Sequence, residues 1–211
     1  MTGRLPTPAR LARALGDFLP PDGSRIGLLG GSFNPAHGGH RHISLEALDR
    51  LGLDEVWWLV SPQNPLKPAA GMSELDERLE NAQQVAAHPQ IRVTGVEREL
   101  GTRFTADTLQ ELVRRLPRVG FVWLMGADNL AQVDRWDRWT RIFHTVPVAV
   151  FDRPSYSFTA VTAKAARRFA RYRLAESSAK RLADERPPAW VFLHIRKDPR
   201  SATEIRARQG R

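Results

Sequence analysis

Two histidines and four glycines lie close together in residues 30–40, which read GGSFNPAHGGH. Imidazole N–H groups donate hydrogen bonds to phosphate oxygens, and glycine lets the backbone approach a ligand without a side chain in the way. His37 and His40 are three residues apart, so they face the same side if a helix begins here. The pattern favours a phosphate-binding loop that ends in a helix entrance, where backbone N–H groups, those of Gly38 and Gly39 included, attract anions.

Three other interpretations of the same stretch stay open. A metal site would use the histidines as ligands, but His42 lies about 200° round a helix from His40, and no carboxylate is near in sequence. A dinucleotide fingerprint would need G-x-G-x-x-G spacing, which the stretch lacks. The third interpretation is that His37 and His40 only cap a helix.

The elements that must position this loop are short apolar runs alternating with helical patterns, as in a parallel sheet built from βαβ units. The predicted strands are residues 26–30, 55–60, 91–94, 121–125, 146–151 and 190–193, and the predicted helices are residues 40–51, 74–87, 106–116 and 160–175. This order predicts an α/β fold, a doubly wound parallel sheet with helices on both faces, which binds ligands at the carboxyl ends of its strands.

Local signals add detail to this organisation. Ser73 with Asp76, and Ser201 with Glu204, have the spacing of capping boxes at helix starts. Thr105 is predicted to open the third helix. We expect one continuous domain from residue 25 to 211, ending in a helical part, with residues 1–24 as an N-terminal extension.

Composition narrows the function classes. The 211 residues contain no cysteine, which excludes disulfides, thiolate catalysis and cysteine-ligated metals. The formal net charge of +9 raises the alternative of a basic RNA-binding module, but the arginines are dispersed, and the densest cluster, residues 164–186, is typical of a solvated amphipathic helix. No apolar run approaches the ~20 residues of a membrane helix. We therefore expect a cytoplasmic protein with no nucleic-acid or membrane partner.

The loop motif and several others, in order, resemble bacterial nicotinate mononucleotide adenylyltransferases of the (H/T)xGH nucleotidyltransferase superfamily. Besides residues 30–40 and Trp136, the matching segments are residues 64–67 (NPLK), 104–108 (FTADT), 125–130 (MGADNL), 152–154 (DRP) and 201–206 (SATEIR). The resemblance covers residues 25 to 208 and implies a Rossmann-like fold. It does not account for the N-terminal extension, and it departs from the family pattern at Asn34 and Phe104.

The resemblance implies transfer of AMP from ATP to nicotinate mononucleotide, giving nicotinate adenine dinucleotide and pyrophosphate. It implies that His40 contacts the α-phosphate and His37 the neighbouring phosphates, as catalytic residues. The residues implied to bind ATP are Gly31, Ser32, Phe33, Ser201, Thr203 and Arg206. Those implied to bind the nicotinate nucleotide are Lys67, Thr105, Asp128, Trp136 and Arg153.

Mg²⁺ carried with ATP is the expected cofactor, with few protein ligands, and the expected partners are the two small-molecule substrates. Two other acceptors remain as alternatives within the superfamily: nicotinamide mononucleotide and pantetheine phosphate. The ring carboxylate that separates nicotinate from nicotinamide would be favoured by backbone N–H groups or a nearby positive charge. Asp107 and Arg78 are further candidates for positioning, whereas Trp57, Trp58, Trp123 and Trp139 are expected to be packing residues.

Overall fold

The computed structural model describes Ala12, Leu15 and residues 19–62, 72–153 and 157–196, with the backbone alone at residues 157 and 158. Four of the predicted site residues, Lys67, Ser201, Thr203 and Arg206, lie outside these ranges, as does the predicted capping box at Ser201 and Glu204. Their roles stay predictions.

Strands and helices alternate along these ranges as predicted. The strands are β1 (Arg25–Gly31), β2 (Glu55–Val60), β3 (Ile91–Thr94), β4 (Gly120–Gly126), β5 (Val148–Phe151) and β6 (Trp190–Leu193). The α-helices are α1 (Gly38–Leu51), α2 (Leu75–Ala86), α3 (Val96–Leu100), α4 (Thr105–Arg115), α5 (Ala127–Leu130), α6 (Trp139–Thr145), α7 (Ser157–Thr162) and α8 (Lys164–Arg168), and 3₁₀ turns cover Val133–Arg135, Ala170–Tyr172 and Glu176–Asp184.

The strands form one sheet in the order β3-β2-β1-β4-β5-β6, and every pairing is parallel. The chain runs outward from β1 to β3, then crosses back to β4 beside β1 and runs outward on the other side. This confirms the doubly wound, Rossmann-like α/β fold. The order reverses between β1 and β4, and open α/β sheets generally bind their ligands at such a point, outside the carboxyl ends of the strands.

Both faces of the sheet are covered, because the strands are apolar on both sides. In β2, Trp57 and Leu59 face one core cluster, while Trp58 and Val60 face the other. Helices α4 and α6 pack on the first face and α1 and α2 on the second. Three of the four tryptophans predicted to pack in the core, Trp57, Trp58 and Trp123, are at most 3% exposed, and Trp139 packs against the first cluster.

The prediction of one helix over residues 160–175 was wrong, and so was the amphipathic helix over residues 164–186. Helices α7 and α8 and the 3₁₀ turn Ala170–Tyr172 come first, Leu174 N–H then donates to the Trp190 carbonyl of β6 at 2.8 Å, and a second 3₁₀ segment covers Glu176–Asp184. The indole N–H of Trp190 donates to the Phe169 carbonyl at 2.9 Å. Pairing of the edge strand β6 therefore competes with the helix and prevails, since an edge strand presents unpaired backbone groups.

The predicted capping box at Ser73 was also wrong. Glu74 is the N-cap of α2 and makes no side-chain capping bond. The backbone of Ser73 is committed elsewhere: its N–H donates to Asn34 Oδ1 at 3.3 Å, and its carbonyl accepts from Arg78 Nε at 2.9 Å. By contrast, α4 begins at Thr105, as predicted.

Leu15, from the N-terminal extension, is 1% exposed and belongs to the first core cluster. Arg92 Nη1 donates to its carbonyl at 3.2 Å. The division between an extension and a domain at residue 25 stays a prediction. Among the residues that the structure describes, no helix combines the length and apolar character needed to span a membrane.

Candidate active site

The loop between β1 and α1 lies at the carboxyl edge of the sheet, beside the switch point. Gly30 is required there because a Cβ atom would lie 2.3 Å from the indole of Trp123. Phe33 follows with φ of 46° although it is not glycine, and it is 2% exposed. A left-handed phenylalanine costs about 1–3 kcal/mol and persists where the surroundings hold it. The strain marks a loop whose shape is fixed by its packing.

His37 and His40 cap helix α1 through one ring nitrogen each. His37 Nδ1 accepts from Gly39 N–H, and His40 Nδ1 accepts from His37 N–H, both at 3.2 Å. A neutral imidazole that accepts at Nδ1 carries its proton on Nε2. Capping therefore makes Nε2 the N–H donor of both rings, a different nitrogen from the one that caps the helix. It also occupies the Gly39 N–H group, which was predicted to attract an anion.

Aromatic packing holds the His40 ring. The His37 and His40 rings have centroids 3.9 Å apart, and the Phe33 ring lies 4.7 Å from His40. Phe33 in turn stacks on Trp58 at 5.1 Å with planes 15° apart. Buried Ser44 accepts from the Trp58 indole at 2.7 Å and donates to the His40 carbonyl at 2.9 Å. The start of α1 is thus fixed against strand β2.

Side chains of helix α2 also hold the loop. Asn81 Oδ1 accepts from Ala36 N–H at 3.0 Å. Arg78 is 3% exposed, and its guanidinium donates to the Ser32 and Ser61 carbonyls, both at 2.7 Å. Burial lowers the pKa of Arg78, against an opposing effect of Glu74. From the sequence, Arg78 was predicted only as a positioning candidate, and Asn81 was missed.

Asp128 and Arg153 meet at the carboxyl ends of β4 and β5. Arg153 Nη1 lies 3.6 Å from Asp128 Oδ2. Asp128 Oδ1 is buried and has no hydrogen-bond partner among the described residues. Such an atom is costly unless a ligand or solvent satisfies it. Asp128 lies inside α5 and Gly126 is the N-cap, so Asp128 is not a capping residue.

Thr105 and Trp136 stand on different elements. Thr105 is the first residue of α4, and Trp136 ends a 3₁₀ turn and packs against the first core cluster. Arg138, the N-cap of α6, pairs with Asp107 at 2.6 Å and lies over the Phe104 ring, 5.7 Å from its centroid. The positioning candidate Asp107 therefore joins α4 to the start of α6.

Glu97 is a buried carboxyl that sequence reasoning did not single out. It is 7% exposed on the short helix α3, and Oε2 has no hydrogen-bond partner within the described part of the chain. Burial raises its pKa to about 7, against hydrogen bonds from Ser61 and Thr108 that lower it. A five-residue helix has too few turns for a sequence pattern to mark one position as buried.

The structure thus brings Gly31, Ser32, Phe33, His37 and His40 together in one stretch, from the end of β1 to the first turn of α1, and places Asp128 and Arg153 at the same edge of the sheet, across the β1–β4 switch point. Across the described ranges, no group of three or more histidine, aspartate or glutamate side chains is placed to hold a metal ion. The donors at this edge are N–H groups, which suit phosphate oxygens.

A family model described as cytidylyltransferase-like matches residues 28–208. A "Probable nicotinate-nucleotide adenylyltransferase" of Bradyrhizobium sp. (strain ORS 278) is 56% identical over 186 residues, which cover 88% of this chain and 97% of that protein. A protein of the same description from Methylorubrum extorquens is 53% identical over 184 residues, 87% of this chain and 100% of that protein.

Among solved structures, Plasmodium falciparum nicotinic acid mononucleotide adenylyltransferase complexed with NaAD matches with a TM-score of 0.64 at 17% identity. The match covers 87% of this chain and 83% of that chain. At this identity the likeness shows the fold, in agreement with the sheet order found here.

Proposed function

The chain belongs to the nicotinate-nucleotide adenylyltransferases of the cytidylyltransferase-like family, and we propose that it joins nicotinate mononucleotide to the AMP part of ATP. A phosphate oxygen of the mononucleotide attacks the α-phosphorus, and the bond from that phosphorus to the bridging oxygen breaks. Nicotinate adenine dinucleotide forms, and pyrophosphate leaves with the electron pair. The observation that carries this proposal is the paired capping of His37 and His40, which makes Nε2 the donor of both rings.

No general base is needed, because the attacking phosphate is already an anion at neutral pH. The protein has to align the reactants and neutralise charge on three phosphates. We assign His40 to the α-phosphate and His37 to its neighbours, with Gly31, Ser32 and Phe33 forming the loop around them. By family resemblance, Ser201, Thr203 and Arg206 hold the β- and γ-phosphates.

The acceptor lies across the switch point. The orphaned oxygen Asp128 Oδ1 supports a hydrogen bond to a ribose hydroxyl. Arg153, beside it, and Lys67 bind the phosphate of the mononucleotide, and Thr105 and Trp136 flank the pyridine ring. The tryptophan contributes a stacking face.

Mg²⁺ carried by ATP would supply neutralisation of charge on the phosphates. The described site fits an ion held by its substrate, because its loop side chains are imidazole donors and no group of three or more histidine, aspartate or glutamate side chains in the described ranges is placed to hold a metal ion.

The proposal predicts which acceptors support turnover. Purified protein with ATP and magnesium should release pyrophosphate with nicotinate mononucleotide and much less with nicotinamide mononucleotide or pantetheine phosphate, measured as kcat/KM for each acceptor. Without an acceptor, release should stay at background. Equal kcat/KM for all three acceptors would contradict the assignment, and steeply salt-dependent RNA binding without turnover would favour a basic RNA-binding module.

Gly126→Ala tests the acceptor side of the site. The added Cβ would lie 2.3 Å from Asp128 Oδ1 and 2.8 Å from Arg153 Cδ, so both side chains must move. We expect kcat/KM for nicotinate mononucleotide to fall by ~10-fold or more, because small misplacements of binding groups are costly. Gly95→Ala is the matched control, since its Cβ meets Leu79 at an ordinary 3.4 Å. Unchanged kinetics in Gly126→Ala would remove Asp128 and Arg153 from the acceptor site.

A further inference from the structure

One buried guanidinium joins three segments at the carboxyl edge of the sheet. Arg78 Nη1 donates to the Ser32 carbonyl in the phosphate loop and to the Ser61 carbonyl after β2, each at 2.7 Å. Arg78 Nη2 donates to the Pro62 carbonyl at 2.9 Å, and Nε donates to the Ser73 carbonyl at 2.9 Å. All four acceptors are backbone carbonyls. The hydrogen bonds of the Arg78 side chain therefore depend on the positions of the main chain in these segments.

The two loops that Arg78 joins belong to different substrates in the proposed function. Ser32 lies in the loop assigned to ATP, whereas Ser61 and Pro62 begin the segment that carries Lys67, assigned to the mononucleotide phosphate. The shared donor Nη1 sets the spacing between the Ser32 and Ser61 carbonyls. Asn81, one turn further along α2, holds only the ATP loop, through Ala36 N–H.

We propose that Arg78 is a positioning residue for adenylyl transfer, which fixes the ATP loop relative to the acceptor segment so that the attacking oxygen and the α-phosphorus are aligned. This inference rests on the proposed function. The desolvation free energy of a buried guanidinium is offset only when the geometry is good and its N–H groups are fully hydrogen-bonded. Arginine supplies the planar set of donors that these carbonyls require, and lysine does not.

Variants at Arg78 and Asn81 separate alignment from stability. In Arg78→Lys, which keeps the charge but not the planar donors, kcat per folded molecule should fall by ~10-fold, and in Arg78→Met by ~100-fold, because a 1 Å misplacement has effects of this order. The KM values for both substrates should move together. In Asn81→Ala, only the ATP parameters should change.

Arg92 provides the matched control at the opposite edge of the sheet. Its guanidinium also ties segments together, through Glu55 and the Leu15 carbonyl. Arg92→Lys and Arg92→Met should lower the melting temperature yet leave kcat per folded molecule within about twofold of the wild-type value, since neither change displaces a group at the site. If Arg78→Met does not fold, Arg78→Lys and Asn81→Ala decide the question.

The inference is overturned if Arg78→Lys keeps wild-type kcat, or if Arg92 variants lose kcat equally. Wild-type protein is assayed in parallel, so that failure of the proposed function can be distinguished from failure of the positioning role. If wild-type protein forms no dinucleotide, the proposed function fails, whereas active wild-type protein with fully active Arg78 variants overturns only the positioning role.

Discussion

His40→Ala should lower kcat by ~100-fold or more, which is the usual cost of removing one preorganised donor from a transition state. That loss corresponds to about 2.7 kcal/mol of activation free energy. The same substitution also removes a helix cap, because His40 Nδ1 accepts from His37 N–H. Loss of a cap costs ~1 kcal/mol of stability and does not by itself slow turnover of the folded protein. The size and kind of the effect therefore distinguish the two roles.

His40→Asn makes the distinction sharper. The asparagine oxygen, like Nδ1, is two bonds from Cβ and can accept from His37 N–H, but nothing replaces the Nε2–H donor. We expect near wild-type stability in thermal unfolding together with a loss of kcat close to that of His40→Ala. His88→Ala, at the other edge of the sheet, is the control and should keep full turnover. Normal kcat in His40→Asn would mean that His40 serves only as a cap.

Glu97→Gln should change how stability depends on pH. The folded pKa of Glu97 is raised from 4.5 to about 7, mainly by burial. Between these two values the unfolded chain releases the proton while the folded chain keeps it, so the wild-type free energy of unfolding falls as pH rises. The decrease is about 1.4 kcal/mol per pH unit and reaches about 3 kcal/mol near pH 7. Above that pH the contribution is constant.

Chemical denaturation at pH values from about 4 to 8, which bracket the two pKa values, measures this contribution. The free energy of unfolding of Glu97→Gln minus that of the wild type should rise through the window from 4.5 to about 7 and then level off. Any fixed cost of the amide shifts the whole curve without changing its slope. Glu80→Gln, at an exposed position on α2, is the matched control. A flat difference for Glu97→Gln would show that its folded pKa is ordinary.

The sheet and the phosphate loop could be predicted from the sequence because local pattern determines them. The run 55–60, EVWWLV, is apolar on both sides, as a central parallel strand requires. The glycines and histidines of residues 30–40 identify the loop by residue type and spacing alone. The remaining motifs follow in the order typical of one enzyme family, and the reaction was predicted from the resemblance to that family.

Long-range contacts explain what sequence reasoning missed. The chain leaves the helix after Phe169 because two groups of Trp190, twenty-one residues away, bind its backbone. The Trp190 indole N–H donates to the Phe169 carbonyl, and the Trp190 carbonyl accepts from Leu174 N–H. Arg78 carried a signal, since it shares the buried stripe of α2 with Ala82 and Ala86 at helical spacing. An arginine on such a stripe indicates a buried cation, but the four carbonyls that receive it come from three separate segments and cannot be read from local pattern.

Labelled ATP tests the central claim most directly. The purified protein is incubated with magnesium, nicotinate mononucleotide and ATP that carries phosphorus label at either the α- or the γ-position. Adenylyl transfer predicts that α-label appears in nicotinate adenine dinucleotide and γ-label in pyrophosphate, at a rate that His40→Ala lowers by ~100-fold. Transfer of γ-label to the mononucleotide, or its release as orthophosphate without any dinucleotide, would contradict the account.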